Sequence, residues 1–484
     1  MKRILLAMTI LFLAGCGFTE TSDVDGKVLD VELPLKPASI APYESFIPYQ
    51  MGATETLFIV EDGKLEPNLV EDYKQVSEDT LELTIRDDIK FQNNHKLTGE
   101  AVKNSIEQSR KESSLLKGSI PIESIEVDGQ KMTIKTSKPT PNLANELANP
   151  FIAIFDTESK TNEDEIPIGT GPFEVTDYQR TKKVTLQKFE DYWQGEPKLD
   201  GIVLEFHEDG DMRVDHLLDG NSDVTTDVPI ERIPDVDNNK NTEVDIAHGF
   251  RVSHIIYNFE SDKMVQPVRE ALDKVINRKA IVDKIFNGYA AETNAPFSDM
   301  KTDIEYNPEE AKSLMEAEGY SKDNPLTITV ATYDGRPELT KMLEVIQSDA
   351  KEAYFDIQIK NVDDIEAFLE DRDNFDATMY NFLTEPRGDK SYYFEMSFLP
   401  DGPTNKGGYN NKKVTELIHD LQTTVDKNKQ ASIEEEILDI IFKDQVNSYI
   451  ARTDNVVAFR ENVKGIKATP EGIKLIDYQV DIDD

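Results

Sequence analysis

The sequence predicts a mixed α/β fold, because strand-like and helix-like segments alternate along most of its length. Strands are indicated by alternating apolar and polar residues, as at residues 81–86. Helices are indicated by capping residues ahead of amphipathic runs, as at Thr98 and Asn307. The chain has 484 residues, 38% of them hydrophobic. It can therefore form more than one core, and its length suggests roughly two or three domains.

The first half of the chain is predicted to be rich in short strands. Thr98 is expected to cap a helix that ends near Arg110, and Asp128-Gly129 indicates a tight hairpin turn. A glycine-rich loop at residues 167–172 leads into a further strand. The predicted strands of this half lie at residues 28–33, 81–86, 122–127, 132–136, 173–178, 184–189 and 201–206.

The second half is predicted to contain longer helices. A strand at 326–331, a helix at 338–353 and a strand at 355–360 indicate a crossover unit of a second α/β lobe. Asn307 should open a helix that Gly319 ends. The other predicted elements are a strand at 255–259, helices at 267–276, 279–286, 412–424 and 429–446, and short strands near Val456 and Ile473.

The N-terminus predicts export and a lipid anchor. The apolar run at residues 4–14 follows Lys2 and Arg3 and has roughly half the length that spans a bilayer, so residues 1–15 fit a cleaved signal peptide. Leu13-Ala14-Gly15-Cys16 resembles the bacterial lipobox, whose cysteine receives a diacylglyceryl group. Cys16 is the only cysteine, so it is the expected lipidation site, carrying acyl chains such as palmitate, with residues 16–26 as a tether. The alternative is an ordinary signal peptide with a chance cysteine.

The charge of the chain excludes several partners. The formal net charge is -41, which would repel nucleic acids and anionic lipid surfaces. The acidic residues are scattered, as on a solvated surface. No later segment is long and apolar enough to span a membrane, so the remainder is expected to lie in solution outside the cell.

Several segments, taken together, carry a family resemblance. They include the loop Ile168-Gly169-Thr170-Gly171-Pro172-Phe173 and the motif Asp191-Tyr192-Trp193. The other matching segments are residues 65–73, 83–91, 197–200, 220–224, 257–258, 268–272, 276–278 and 311–320. In order and spacing they resemble the solute-binding proteins of family 5, which serve peptide- and nickel-type ABC importers.

The resemblance implies an architecture and a mechanism. The fold would be a two-lobed periplasmic-binding-protein type II fold with an extra subdomain and a ligand cleft between the lobes. Lobe I would comprise residues 27–45, 165–245 and 456–484, the extra subdomain 46–164, and lobe II 246–455. A monomer would close on a small polar ligand by hinge motion and deliver it to ABC permease subunits in the membrane.

The candidate ligand-binding residues come from three segments. In the peptide-binding branch of the family an aspartate after glycine holds the ligand's α-amino group, and Asp389 matches it, although Lys390 replaces the usual proline. Arg251 could hold a carboxylate in a bidentate manner. Residues 43–51 resemble a nickel-branch segment whose aromatic and Met side chains pack on a metal chelate. The candidates are Tyr43, Tyr49, Met51, Arg251, Arg387, Asp389, Tyr392 and Tyr393. The alternatives are a surface turn at Asp389, a surface arginine at Arg251 and core packing at 43–51.

A nickel chelate is slightly favoured over a short peptide as the ligand. Residues 143–155 also resemble the nickel branch, but the arginine that neutralises the chelate there is missing from this sequence. The six histidines show no metal-ligand spacing, so no metal site and no cofactor are expected. Nickel would therefore arrive wrapped in a small chelator.

Two other classes of function are alternatives to solute import. A surface hydrolase is disfavoured because neither Gly-x-Ser-x-Gly nor His-Glu-x-x-His occurs, and we expect no enzyme activity. The loop at Gly169-Thr170-Gly171 leads into a strand rather than a helix, which does not suit a nucleotide phosphate. A receptor for a peptide signal would share the fold and differ only in the fate of its ligand.

Overall fold

The computed structural model describes residues 24, 26–61, 63–113, 116, 120–159, 166–300, 305–333 and 336–483. Cys16, the predicted signal peptide and nearly all of the predicted tether lie outside these residues. Within the described part of the chain, no helix has both the length and the apolar character needed to cross a bilayer.

The chain is mixed α/β, as predicted. The strands are β1 (Val28–Leu33), β2 (Phe58–Glu61), β3 (Lys64–Pro67), β4 (Val70–Ser77), β5 (Thr80–Ile85), β6 (Ile122–Asp128), β7 (Lys131–Thr136), β8 (Phe173–Gln179), β9 (Lys183–Lys188), β10 (Gly201–Phe206), β11 (Val224–Thr226), β12 (Thr242–Tyr257), β13 (Ala290–Glu292), β14 (Leu326–Tyr333), β15 (Phe355–Val362), β16 (Ala377–Leu383), β17 (Asn447–Arg460), β18 (Val463–Lys464) and β19 (Asp481–Ile482). The helices are α1 (Ile47–Gln50), α2 (Gly99–Glu112), α3 (Leu143–Glu146), α4 (Gly210–Asp219), α5 (Ile233–Asp237), α6 (Gln266–Lys274), α7 (Arg278–Ile285), α8 (Pro308–Ala317), α9 (Pro337–Ala350), α10 (Ile365–Leu369), α11 (Ser391–Phe398), α12 (Lys412–Thr423) and α13 (Lys427–Lys443).

Local sequence signals placed several of these elements correctly. Thr98 caps α2, its Oγ1 accepting a hydrogen bond from the Ala101 amide at 3.2 Å. Asn307 caps α8, and Gly319 follows that helix with φ of +89°. The hairpin between β6 and β7 turns at Gly129, whose φ of +65° suits glycine. The predicted crossover unit is confirmed, because β14 and β15 pair in parallel and flank α9 in the chain.

Three regions of the chain build separate hydrophobic cores. In the first lobe, β11, β1, β10, β9 and β8 form adjacent strands over a core that includes Leu29 and Ile202. In the extra subdomain, the sheet β4-β5-β7-β6 packs with α2 around Leu83 and Val102. In the second lobe, β15, β14, β16 and β12 lie over a core containing Ile328. The residue boundaries stated above for these units stay a prediction.

Two long strands, β12 and β17, pass from one lobe into the other. They pair antiparallel, from Thr242 opposite Arg460 to Ile256 opposite Asn447. Because these strands join the lobe sheets, the strands of both lobes form one continuous hydrogen-bonded sheet. The junction between the lobes is therefore two paired strands, which can bend more readily than a packed core.

The pairing of β12 with β17 is interrupted by a bulge at the crossing. The register shifts between His248 and Val252. Gly249 lies within the bulge, where an added Cβ would come within 2.7 Å of the Thr453 carbonyl oxygen. A bulge of this kind bends the strand and redirects its side chains. Arg251, one of the candidate ligand-binding residues, lies in this bulge.

Three strand predictions near the crossing were wrong or incomplete. The strand predicted at residues 255–259 is only the end of β12, which begins at Thr242. The short strand predicted near Val456 is part of β17, which begins at Asn447. Ile473 lies in no strand. Strand formation here depends on pairing with a distant segment, which local patterns do not encode.

Candidate ligand-binding site

An interlobe cleft lies beside the crossing strands and consists of two adjoining cavities. The first has a volume of about 380 Å³, and the second, towards the subdomain, about 360 Å³. Both volumes fall in the range of small-molecule sites. The first is lined by Gln50, Thr226, Asp227, Val228, Pro229, Ile230, Ile233, Phe286, Tyr289, Arg336, Glu338, Thr453, Asp454, Asn455, Val456, Val457, Lys467, Thr469, Gly472, Ile473, Lys474 and Leu475. The walls thus come from both lobes.

Arg251 is a half-buried cation that lines neither cavity but lies near Arg336, Glu338 and Asp227 of the first cavity, whose charges act on it. Its guanidinium forms no hydrogen bond or ion pair with any residue that the structure describes. Burial lowers the pKa of Arg251, and the positive charge of Arg336 lowers it further. A desolvated guanidinium without an anionic partner is unfavourable, so an anionic ligand group beside it would gain a strong interaction.

The first cavity is lined by three cations and by three carboxylates, those of Asp227, Glu338 and Asp454. The cations are Arg336, Lys467 and Lys474. Nη1 of Arg336 lies 4.0 Å from Oε1 of Glu338. The two lysines form no ion pair with another described residue. A ligand that bears carboxylates would meet several cations here.

Two buried polar atoms in the wall of the first cavity have no hydrogen-bond partner among the described residues. They are Oε1 of Gln50 and Oγ1 of Thr453. Leaving such a buried atom unsatisfied costs about 1–3 kcal/mol. Both atoms can therefore take part in ligand recognition, Gln50 Oε1 as an acceptor and Thr453 as a donor or acceptor.

The N-terminal candidate segment contributes one residue to the cleft. Tyr49 lines the second cavity, and burial raises the pKa of its phenol, so the hydroxyl stays protonated and able to donate. Tyr43 instead packs on Phe155, with ring centroids 6.0 Å apart. Met51 is fully buried in the first-lobe core, so its position fits the alternative of core packing.

The candidates around Asp389 lie at a contact between the second lobe and the subdomain. Arg387 donates to Oε1 of Glu146 from Nε at 3.1 Å and from Nη2 at 2.8 Å. Asp389 accepts hydrogen bonds from the Ser391 amide at 3.0 Å and from Asn142 Nδ2 at 3.1 Å. Of the four side chains in this segment that were expected to face a ligand, Arg387 and Asp389 therefore already have protein partners.

The two tyrosines of this segment differ in exposure. Tyr392 is half-buried, and the Arg387 guanidinium lies 4.8 Å above its ring. Tyr393 is fully buried, and its hydroxyl lies 3.0 Å from that of Tyr449. Tyr393 is thus part of the second-lobe core, because it occupies the inner face of α11.

The glycine-rich loop is held by a buried carboxylate. Glu55 accepts hydrogen bonds from Thr170 Oγ1 at 2.8 Å, Tyr192 Oη at 2.9 Å and Trp193 Nε1 at 3.1 Å. Burial raises the pKa of Glu55, and the three donors oppose that shift. Trp193 is therefore a structural residue rather than part of the cleft wall.

Sequence reasoning missed several residues of these sites. Gln50 lies in the nickel-type segment 43–51 but was not among the candidates, whereas Arg336 and Glu338 follow no motif, and only spatial convergence identifies them. The same is true of a group outside the cleft: Glu32, His207 and His216 place their ligand atoms within 4.8 Å of one another. The spacing of the histidines along the sequence does not indicate a metal site, although the structure brings His207 and His216 together.

The comparisons with known proteins agree with this architecture. Residues 64–405 match the family model for the middle region of the bacterial extracellular solute-binding proteins, family 5. The nickel-binding protein NikA of Staphylococcus aureus is 48% identical over 481 residues, which cover 98% of this chain and 97% of that protein.

Solved structures and a second relative extend the comparison. A crystal structure of Staphylococcus aureus NikA in complex with Ni(L-His)2 has a TM-score of 0.76 at 48% identity, covering 95% of this chain and 100% of that one. A nickel ABC transporter structure from Bacillus halodurans has a TM-score of 0.87 at 29% identity, covering 94% and 100%. The glutathione-binding protein GsiB of Escherichia coli (strain K12) is 26% identical over 437 residues, 84% of each chain.

Proposed function

The chain belongs to the bacterial extracellular solute-binding proteins of family 5, and on that premise we propose that it captures nickel held in a small carboxylate-bearing chelator. Family members bind a solute for an ABC importer and are not enzymes. The nickel assignment is supported by the relative at 48% identity, a nickel-binding protein of Staphylococcus aureus. The supporting structural observation is Arg251, a half-buried guanidinium without a partner among the described residues.

Recognition would rest on charge and hydrogen bonding rather than on direct coordination by the cleft. Arg251 and Arg336 would each hold a carboxylate of the chelator, because a guanidinium matches the two oxygens of a carboxylate. Gln50 and Tyr49 would meet the polar groups that remain. Such a ligand neutralises two neighbouring guanidinium groups that otherwise repel each other.

Lobe closure would follow from contacts on both sides of the cleft. The first cavity has walls from the first lobe, such as Val228 and Leu475, and from the second, such as Phe286 and Arg336. A ligand that touches both walls stabilises the closed arrangement by its differential affinity for that state. The contact of Arg387 with Glu146 would add to the closed state, because it joins the second lobe to the subdomain.

Anchoring and delivery complete the proposal. A lipid on Cys16 would hold the protein on the outer face of the cell membrane, with residues 17–26 as a tether. The closed monomer would then present its lobes to the permease subunits of an ABC importer. Intact mass measurement of the membrane-extracted protein tests the anchor, since Cys16→Ala should remove the acyl mass.

The ligand is tested by calorimetry on the tag-free chain that begins at Gly17. The titrants are Ni²⁺ with excess L-histidine, Ni²⁺ alone, and reduced glutathione as a short-peptide probe. We expect saturable binding of the nickel–histidine mixture that Arg251→Ala weakens, and no binding of glutathione. Tight binding of glutathione without binding of the nickel mixture would replace the proposal by the peptide alternative.

A further inference from the structure

A group of metal-ligand side chains lies in the first lobe, where β1 and β10 run parallel. Glu32 is on β1, His207 directly follows β10, and His216 lies in the last turn of α4. Oε1 of Glu32 is 2.7 Å from Nδ1 of His216 and 3.7 Å from Nε2 of His207. The three ligand atoms all lie within 4.8 Å of one another. None of the three residues lines the two cavities of the interlobe cleft.

The carboxylate of this group is buried and only partly satisfied. Glu32 is 4% exposed, and its Oε2 has no hydrogen-bond partner among the described residues. A buried carboxylate oxygen without a donor is costly, and a metal ion bound by both oxygens of Glu32 would satisfy it. The side chains of His207 and His216 are 28% and 33% exposed, so an ion can reach the group from solvent.

The surroundings of the group are negatively charged. Glu205 lies opposite Glu32 in the register of β1 and β10, and its Oε2 is 3.4 Å from Nε2 of His207. Like charges on paired strands repel each other, and a cation between them would remove that repulsion. Asp30 and Asp223 add negative charge nearby.

The nearest arginine does not occupy the position of a metal. Arg213 donates from Nη1 to the carbonyl oxygens of His207 and Glu208, at 2.7 and 3.1 Å. Its Nη2 donates to the carbonyl oxygen of Asp227 at 2.9 Å. Arg213 therefore fixes the loop that carries His207. The carboxylate of Glu32 contacts the two histidines instead.

We propose that Glu32, His207 and His216 form a second metal site, which binds one bare divalent transition-metal ion. Imidazole nitrogens with a carboxylate oxygen are a donor set that suits Zn²⁺, Ni²⁺ and Cu²⁺. Metal–ligand bonds of about 2.0–2.1 Å in a tetrahedron separate ligand atoms by roughly 3.4 Å, so Glu32 and His216 need only a small rotation. Glu205 or water would take the fourth position. The site is independent of ligand capture in the cleft.

The test uses the tag-free chain from Gly17, stripped with a chelating agent and dialysed against ZnCl₂ or NiCl₂ without amino acids. Elemental analysis of the dialysed protein should give one metal ion per chain. The double variant His207→Ala/His216→Ala should lose this ion. Glu32→Gln keeps the shape of the side chain and should weaken binding in calorimetry. If the double variant does not fold, as judged by circular dichroism, the Glu32→Gln comparison decides.

The control is His95→Ala, which removes an exposed histidine whose Nδ1 lies 2.9 Å from an oxygen of Asp156. It should retain the ion, and so should Arg251→Ala, because Arg251 is proposed to hold the ligand of the cleft. If the nickel–histidine mixture does not bind in the cleft, the metal content of the dialysed protein is unaffected, so each proposal can be contradicted without the other. No metal in the wild-type protein, or equal metal in wild type and double variant, would overturn the proposal. Co²⁺ absorption in the visible range reports the coordination geometry.

Discussion

Arg387 of the second lobe and Glu146 of the subdomain form an ion pair, in which Nε and Nη2 both donate to the same carboxylate oxygen. The side chains are 17% and 16% exposed, so the pair is largely shielded from water. Burial raises the pKa of Glu146, and the positive charge of Arg387 opposes that shift. The pair thus joins two units that the chain connects only through the first lobe.

Arg387→Ala should lower the free energy of unfolding by about 2 kcal/mol, because the Glu146 carboxylate loses its cation in a shielded position. Urea unfolding at pH 7.5 measures this change. The double variant Arg387→Ala/Glu146→Gln should recover part of the loss, since the uncompensated charge is gone. Strictly additive effects in this double-mutant cycle would mean that the pair contributes no coupling.

Arg251→Ala should weaken binding of the nickel–histidine mixture by about 10- to 100-fold, the usual effect of losing a charged hydrogen bond. The melting temperature should stay the same or rise, because the guanidinium has no partner to lose among the described residues. Calorimetry and thermal unfolding measure the two quantities. Arg180→Ala, which removes an exposed arginine between β8 and β9, is the matched control and should change neither. A drop in melting temperature without loss of affinity would assign Arg251 a structural role.

Asp389→Ala distinguishes two roles of this carboxylate. If Asp389 holds the amine of the ligand, as the matching aspartate does in the peptide-binding branch, its loss should affect only amine-bearing ligands. Its hydrogen bonds with Asn142 and Ser391 predict instead a similar loss of affinity, about 3- to 10-fold, for every ligand, since a weakened lobe contact affects closure itself. Affinities for nickel with histidine and nickel with an amine-free carboxylate chelator measure the difference. A loss confined to histidine would support the amine role.

Because of the buried Glu395, the folded protein is expected to become less stable as the pH rises. Burial raises the pKa of Glu395 from 4.5 to about 7, so the folded protein binds more protons than the unfolded chain between these values. Stability should therefore decrease through this window. Glu395→Gln should be more stable than wild type by on the order of 2 kcal/mol at pH 8 and equal to it at pH 4. Urea unfolding at both pH values measures it, with the exposed Glu435→Gln as control. An equal gain at both pH values would contradict the assignment.

Glu55→Ala should destabilise the protein by about 3–5 kcal/mol, because the donors of Thr170, Tyr192 and Trp193 would lose a shared buried acceptor. Trp193 is the only tryptophan, so its fluorescence reports unfolding directly. Trp193→Phe removes one donor alone and should cost about 1–2 kcal/mol, measured by circular dichroism. Equal losses for both variants would show that Glu55 contributes no more than its bond to Trp193.

The sequence by itself determined the fold class, the family and most local elements of this protein. Thr98, Asn307 and Gly129 act on their immediate neighbours, so their effect can be read without knowing the fold. The family motifs work in the same way, because their order along the chain suffices. Arg251 was also identified as a candidate for holding a carboxylate.

The tertiary structure alone decided which distant side chains meet. His216 contacts Glu32 across 184 residues, and Asn142 contacts Asp389 across 247. The length of β12 and the bulge that holds Arg251 depend on pairing with β17. The chemistry of each side chain is known from the sequence. The partner that satisfies a buried charge depends on sheet pairing and lobe packing, which form only when the whole chain folds.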